Sequence, residues 1–378
     1  MKGNMRFCVP CLFGVEGLVA QELRDMGLEQ VQAENGRVLF SGGWEAMVRA
    51  NLCGRFGERV LLLLGEFPAR SFEELFQGVK ALPWEGLLGK EDAFPVTGSS
   101  LSSQLHSVPD CQAIIKKAIV ERLKAKYKLS WFAESGALHR VRFRILKDQV
   151  SVLVDTSGEG LHKRGYRALS NDAPMKETLA ASLCQLSRLR QDGHLIDPFC
   201  GSGTILIEGA LLARNIAPGL GRAFTAESWG SVPGQLWQQE RERARSLERR
   251  DTGFTAQGFD VDPAAVELTL ANAQKAGVED CITASVRDVR DFTQEGPYGC
   301  VVCNPPYGER LLDVRQAQEL YRALGQVFQP QRGWSLGVIS PDPEFESLFG
   351  RKADKRRKLY NGMIQCQYYQ YFRGSDKR

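Results

Sequence analysis

The sequence predicts an α/β protein in which a doubly wound, mostly parallel sheet follows a smaller α+β region. Three observations carry that expectation. Beyond about residue 173, strand-length apolar runs alternate with amphipathic helical runs, as in a sheet whose parallel strands are joined by crossover helices. One of those strands, Leu195-Ile196, ends in Asp197-Pro-Phe-Cys-Gly-Ser-Gly203 and feeds directly into the apolar helix start Ile205-Leu-Ile207. The first 66 residues instead read strand, helix, strand, strand, helix, strand, the βαββαβ order of a ferredoxin-like unit.

Each element has a local cause. Residues 7–10 are strand-like, and Val15, Leu18, Val19, Leu23 and Met26 recur at helical spacing until Gly27 stops the run. Two short strands meet at Asn35-Gly36, a strong hairpin signal because both residue types tolerate positive φ. A second helix is expected over 43–52 and a strand over 59–64. Next come a helix over 72–81, a strand over 94–97 and a basic helix over 111–127. Strands over 141–145 and 150–154 meet at a polar turn holding Lys147 and Asp148. The Gly-, Ser- and base-rich stretch 156–172 marks the main boundary, so three domains are expected, 1–66, 67–160 and 161–378. In the last of these, helices are expected over 176–189 and 263–276. Strands are expected over 253–260, 281–286, 299–303, 334–339 and 365–372. An insertion over 214–252 carries the charged run Glu240-Arg-Glu-Arg-Ala-Arg245, expected to be an exposed helix.

Composition narrows the function classes. A chain of 378 residues, 43% hydrophobic and 25% charged, has the balance of a globular protein rather than a disordered or fibrous one. No apolar run reaches the length of a membrane span, and the N-terminus lacks a signal-peptide pattern, so a cytoplasmic protein is expected. The ten cysteines are scattered, which suits reduced thiols. Two Cys-x-x-Cys pairs, Cys8/Cys11 and Cys300/Cys303, lie too far apart for a zinc ribbon. Cys300 and Cys303 also fall in a strand, where i and i+3 face opposite ways. Core packing is favoured and no metal is expected. His106, His139, His162 and His194 show no ligand spacing.

The formal charge is +4, but it is clustered. Residues 351–358 hold six basic side chains, and Lys116, Lys117, Arg122, Lys124, Lys126 and Lys128 crowd the basic helix. Such clusters suit phosphate contacts, although a solvated face would look the same.

The candidate chemistry lies at strand ends. Asp197, Asp260 and Asp288 each follow a predicted strand, where an open α/β sheet binds its ligand. Each acid could instead cap the next helix; three at corresponding positions favour a site. Gly201-Ser-Gly203 lacks the third glycine of a dinucleotide fingerprint, and Asp260 lies well beyond that fingerprint's acid spacing. No lysine makes it a P-loop. An acid just before the turn repels a pyrophosphate but suits a cationic ligand such as a sulfonium with its amino-acid group, which favours S-adenosylmethionine. The second diagnostic stretch is Asn304-Pro305-Pro306-Tyr307. Its prolines stiffen the turn, and the Asn304 amide and Pro305 carbonyl offer two acceptors for one exocyclic amine. Tyr307 offers a flat face to a base.

These motifs resemble the amino-methylating class I methyltransferases with an (N/D)PP(Y/F) turn. Within them the chain is similar to the bacterial THUMP-domain 23S rRNA guanine-N2 methyltransferases, over nearly its whole length. Ser107-Val-Pro-Asp-Cys-Gln-Ala-Ile-Ile-Lys-Lys117 resembles that family's THUMP segment, and Asp155–Arg167 its linker. Residues 173–180 resemble the run before the glycine loop, and Arg357-Lys-Leu-Tyr-Asn-Gly362 a run near the family's C-terminus. The resemblance implies a Rossmann-like methyltransferase domain behind a ferredoxin-like and THUMP RNA-binding module. It implies an S-adenosylmethionine site of Thr178, Asp197, Pro198, Phe199, Cys200, Gly201, Ser202, Gly203, Thr204, Asp260, Val261, Asp288 and Asn304. Asn304, Pro305, Pro306 and Tyr307 would act on the target amine. RNA, as 23S rRNA, is the implied partner, with no membrane. A second methyltransferase domain, fused in some relatives, is absent from this sequence, so a single modification is expected. Two other readings use the same residues, a DNA adenine-N6 methyltransferase and a protein-glutamine methyltransferase; a non-catalytic RNA-binding relic would instead carry a damaged cofactor loop or amine clamp, and both are intact here. Cys200 is expected to pack rather than act as a nucleophile.

Overall fold

A computed structural model describes residues 4–167, 175–294, 296–307, 314–328 and 332–372. The chain divides into two compact units. One comprises Met1–Cys11, Val19–Leu161 and Ala223–Arg243; the other comprises Leu12–Leu18, His162–Arg222 and Ala244–Arg378.

The N-terminal part forms β1 (Met5–Pro10), α1 (Glu16–Asp25), β2 (Glu29–Glu34), β3 (Arg37–Gly42), α2 (Trp44–Cys53) and β4 (Leu61–Pro68). β1 lies between β3 and β4, antiparallel to both, and Gly36 at φ +73° turns the β2–β3 hairpin. Then come α3 (Phe72–Ala81), β5 (Val96–Leu101), α4 (Val108–Tyr127), β6 (Val141–Leu146) and β7 (Gln149–Asp155). Ser71 caps α3 in a reciprocal box with Glu74. β7 pairs antiparallel with β4, so one seven-stranded sheet runs β2-β3-β1-β4-β7-β6-β5. A boundary between residues 66 and 67 falls inside β4. Beyond β7 the chain stays buried at Thr156 and Ser157, where Asn51 of α2 donates to Thr156 Oγ1 at 2.9 Å and accepts from Ser157 Oγ at 2.7 Å.

The rest of the chain forms α5 (Glu177–Leu186), β8 (His194–Asp197), α6 (Thr204–Ala213), α7 (Gly234–Ser246), β9 (Thr255–Asp260) and α8 (Pro263–Ala276). After these come β10 (Ile282–Val286), β11 (Gly299–Cys303), α9 (Val314–Val327), β12 (Trp334–Ser340), α10 (Phe345–Phe349), β13 (Lys355–Asn361) and β14 (Ile364–Phe372). The second sheet runs β10-β9-β8-β11-β12-β14-β13. Its first five strands are parallel, and β14 is antiparallel to both its neighbours. β11 and β12 are apolar and buried nearly throughout, as a covered parallel sheet requires.

One charged stretch differs from expectation and another gains a structural role. α7 is not simply exposed: Glu240 is buried and pairs with Arg49 of α2 at 2.8 Å, and Trp237 stacks on Phe224 at 5.1 Å. Residues 223–243 of the insertion belong to the first unit. The basic run 351–358, read as a possible solvated face, supplies most of edge strand β13. Its exposed Lys355, Arg356 and Lys358 discourage further strand pairing.

The second unit also buries an ion pair. Arg164 and Glu208 face each other at 3.4 Å with side-chain exposures of 3% and 1%, and Tyr166 Oη donates to Glu208 at 3.1 Å. Removing one partner leaves an uncompensated charge. Arg164→Met is therefore expected to lower the unfolding free energy by about 3–5 kcal/mol in urea titrations. A loss below about 1 kcal/mol would mean that water or another group compensates Glu208.

Candidate functional site

The site follows from strand order. β8 and β11 are far apart in sequence but adjacent and parallel, with Gly299 opposite His194, Cys300 opposite Leu195 and Val301 opposite Ile196. The strand order reverses at this pair, so a crevice opens beyond its carboxyl ends. Asp197 ends one strand of the pair, and Asn304 follows the last residue of the other.

The loop after β8 is held from both sides. Gly203 caps α6 at φ +78°, and a Cβ there would come within 2.8 Å of Thr269. Gly201 lies at φ +53° with open space where a Cβ would point, so bare backbone faces the crevice there. The Cys200 N–H donates to Phe259 O at 2.9 Å, and the Gly201 N–H to Asp260 Oδ2 at 3.0 Å. From α8, Thr269 Oγ1 donates to Gly201 O at 2.9 Å and Asn272 Nδ2 to Ser202 O at 3.0 Å. Thr269 and Asn272 are buried and were not singled out from the sequence. The available signal was two polar residues, three apart, on the inward face of an otherwise amphipathic helix.

The three strand-end acids have different surroundings. Asp197 is buried and accepts one hydrogen bond, from the Phe199 N–H at 3.0 Å; no cation pairs with it among the described residues. Burial pushes its carboxyl up to about 8, and nearby Asp260 adds to the rise. A buried carboxyl held protonated for want of a counter-charge would ionise when a cation enters beside it, so the residues present fit a sulfonium cofactor. Asp260 is half-buried; besides Gly201 it accepts from the Asp262 N–H at 3.0 Å, while Asp262 caps α8. Val261 between them is exposed. Asp288 caps a short 3-10 turn, accepting from the Arg290 N–H at 2.8 Å and from its guanidinium at 2.9 Å. The capping alternative therefore describes Asp288's present contacts. Thr178 is buried in α5, and Pro198, Phe199, Ser202 and Thr204 lie in or beside the loop. Burial drives the Cys200 thiol up to about 12, which keeps it protonated.

On the other side of the crevice, Pro305 is buried while Asn304, Pro306 and Tyr307 are partly exposed. The Tyr307 hydroxyl donates to Asn304 Oδ1 and receives a hydrogen bond from Asn361 Nδ2 at 3.3 Å. Asn361 ends β13 and was not anticipated at the site. Residues 173 and 174 of the run before the glycine loop lie outside the described residues.

The basic helix α4 is less available than its charge suggests. Lys116 pairs with Glu134, Arg122 with Glu85 at 2.6 Å and Lys124 with Glu121 at 3.0 Å. Lys117, Lys126 and Lys128 have no ion-pair partner among the described residues. All ten cysteines are free, and no group of three metal-ligating side chains occurs among the described residues. No described helix is long and apolar enough to cross a membrane.

A seven-stranded sheet with one antiparallel strand, a glycine loop after β8 and an Asn-Pro-Pro-Tyr turn after the neighbouring central strand β11 defines a class I methyltransferase. Residues 164–370 match the model of the RMKL-like methyltransferase domain, residues 6–61 the RlmL ferredoxin-like domain and residues 69–155 the THUMP domain. The chain belongs to the RMKL-like methyltransferase family, and its cofactor is S-adenosylmethionine. It is 44% identical over 95% of its length, and 94% of the relative's, to "Putative RNA methyltransferase YpsC" of Bacillus subtilis. It is 35% identical over 99% of its length to the ribosomal RNA large subunit methyltransferase K/L of Psychromonas ingrahamii, and spans 51% of that protein. Among solved structures, a predicted N6-adenine-specific DNA methylase from Listeria monocytogenes superposes with a TM-score of 0.94 at 44% identity, covering 98% of this chain and 97% of that one. The crystal structure of "SMU.472, a putative methyltransferase complexed with SAH" superposes with a TM-score of 0.93 at 42% identity over the whole of both chains.

Asp197 makes a pH prediction. Its folded-state pKa lies above the ordinary value, so folding takes up a proton between about pH 4 and 8. The stability of the ligand-free protein should fall as pH rises through that window. Asp197→Asn keeps an acceptor for the Phe199 N–H and removes the charge. Its melting temperature should exceed the wild type's at pH 8 to 9 and converge with it near pH 4. A gap of equal size at both pH values would show that Asp197 titrates normally.

Proposed function

We propose that the chain transfers a methyl group from S-adenosylmethionine to an exocyclic amine of an RNA base, with guanine N2 of large-subunit rRNA as the target. One observation carries this reading: the β8–β11 pairing sets the Asn304–Tyr307 turn beside the loop that follows Asp197. When bound, S-adenosylmethionine supplies an electrophilic methyl group on a sulfonium.

The chain's residues would divide the remaining work. Asp197 holds the cofactor's positive charge, and Asp260 accepts from its ribose hydroxyls. The backbone at Gly201 lies against it, and exposed Val261 covers one face of its base. Thr178, Pro198, Phe199, Cys200, Ser202, Gly203 and Thr204 shape the pocket, and Asp288 borders it. Asn304 Oδ1 and the Pro305 carbonyl accept the two hydrogens of the amine, which turns its lone pair toward the methyl group. The nitrogen gains the methyl and releases one proton to solvent. Catalysis on this reading is positioning, with no covalent enzyme intermediate.

Tyr307 must change partners. Its hydroxyl now occupies Asn304 Oδ1, the acceptor assigned to the amine. Entry of a base would displace it and leave its ring to stack on that base, an interaction worth about 1–3 kcal/mol. The base must be unpaired or flipped out. The unit containing residues 69–155, matched to the THUMP domain, would hold the surrounding RNA, with Lys117, Lys126 and Lys128 available for phosphates.

The name of the Psychromonas relative supports ribosomal RNA, and the name of the Listeria protein favours a second reading, DNA adenine N6. Mass spectrometry of nucleosides after labelled methyl transfer separates them: N2-methylguanosine from ribosomal RNA supports the first, N6-methyldeoxyadenosine from DNA the second. Asn304→Ala should lower methylation by about 10²–10³-fold while S-adenosylhomocysteine still binds. Near-normal turnover would remove the amine clamp. Asp260→Ala should instead weaken S-adenosylhomocysteine about 10–100-fold. Tyr307→Phe should keep most activity and Tyr307→Ala should not; equal losses would place the essential function on the hydroxyl.

A further inference from the structure

Arg167 differs from the buried cation near it. Arg164 is matched to Glu208, which also accepts from the Tyr166 hydroxyl. Arg167 has a side chain only 10% exposed, and its Nη2 reaches Met175 O at 3.0 Å, Thr204 Oγ1 at 3.2 Å and Glu177 Oε1 at 3.1 Å. Its Nε–H is buried and meets no acceptor among the described residues. A buried guanidinium donor without an acceptor is costly, and a ligand that supplies one is favoured. Burial pushes the Glu177 carboxyl beside Arg167 up from its ordinary value, while Arg167 itself acts in the opposite direction.

The position of Arg167 says what that ligand is. Thr204 is the first residue of α6, a ten-residue helix whose N-terminus bears positive partial charge. Ser202 Oγ lies 3.1 Å from Thr204 Oγ1, so Arg167 stands at the helix end of the loop that begins after Asp197. One end of this loop thus holds an acid with no base, and the other a base with an unfilled donor. An α-amino acid carries the complement of both, an ammonium and a carboxylate on one carbon.

We propose that Arg167, with the N-terminus of α6, binds the α-carboxylate of the cofactor's amino-acid tail, while Asp197 faces its cationic groups. This rests on the cofactor reading above and adds to it a residue that sets orientation. Fixing the tail at both charges fixes the direction in which the methyl group points.

The test pairs a truncation in the ligand with one in the protein. The full chain is titrated calorimetrically with S-adenosylhomocysteine and with its decarboxylated analogue, S-adenosyl-3-thiopropylamine. The wild type should bind the first about 10–100-fold more tightly. Arg167→Gln should erase that preference by weakening S-adenosylhomocysteine alone, and Arg167→Lys should restore part of it. Equal loss for both ligands would mean that Arg167 only staples the Tyr166–Arg167 segment to α5 and α6, and would overturn the proposal. So would unchanged affinity for both. If Arg167→Gln does not fold, the wild-type pair still decides, because equal affinities there refute a carboxylate site. A wild type that binds neither ligand would overturn the cofactor reading itself, and the proposal with it.

Discussion

Everything at the crevice depends on the parallel pairing of β8 with β11. Three residue pairs set that register, and with it the level at which both strands end. Parallel strands require a crossover, and here the chain completes β9 and β10 on one side of β8 before returning to its other side. A turn from the middle of the domain therefore lies beside a loop from its beginning. The side-chain period of two also makes the register unforgiving: a slip by one residue would turn Val301 and Val302 to the wrong faces and carry Asn304 with them.

Around that pairing the structure leaves some polar groups satisfied and others not. The glycine loop is fastened at Cys200 and Gly201 by backbone and Asp260, and at the Gly201 and Ser202 carbonyls by Thr269 and Asn272. Rigidity there is fully hydrogen-bonded. Asp197 and Arg167 differ, one a buried carboxyl with no cation among the described residues and the other a guanidinium with a spare donor. An unpaired acid at one end of the loop and an unfilled donor at the other are the complement of an amino acid's two charges, which is the reason for placing the cofactor's tail there.

Much of the fold was legible because its causes are local. The helix over Pro263–Ala276 follows from Asp262 as its cap, Pro263 in its first turn and Gly277 at φ +67° after its end. The hairpin at Asn35-Gly36 and the strand Gly299–Cys303 were equally direct. Other elements were not. β13 was hidden because an edge strand is free to carry lysines and arginines on both faces, which erases the alternation that reveals a strand. Helix α7 looked fully solvated because nothing in the sequence indicates that Arg49 would meet Glu240. The basic helix α4 looked more available than it is, since its partners Glu85 and Glu134 lie on separate segments.

The same division holds for the site. Residue chemistry alone determined that a bare turn behind an acid suits a cationic ligand, and that Asn304-Pro-Pro-Tyr307 is a stiff turn rich in acceptors. These follow from φ, missing N–H groups and charge within a few residues. Only the tertiary structure decided that the two turns are neighbours, that Asp197 is buried without a partner and that Asp288 is engaged by Arg290. It also brought Thr269, Asn272, Asn361 and Arg167 to the site. Burial and hydrogen-bond satisfaction are properties of a residue's surroundings, and those surroundings are assembled from segments that no local pattern connects.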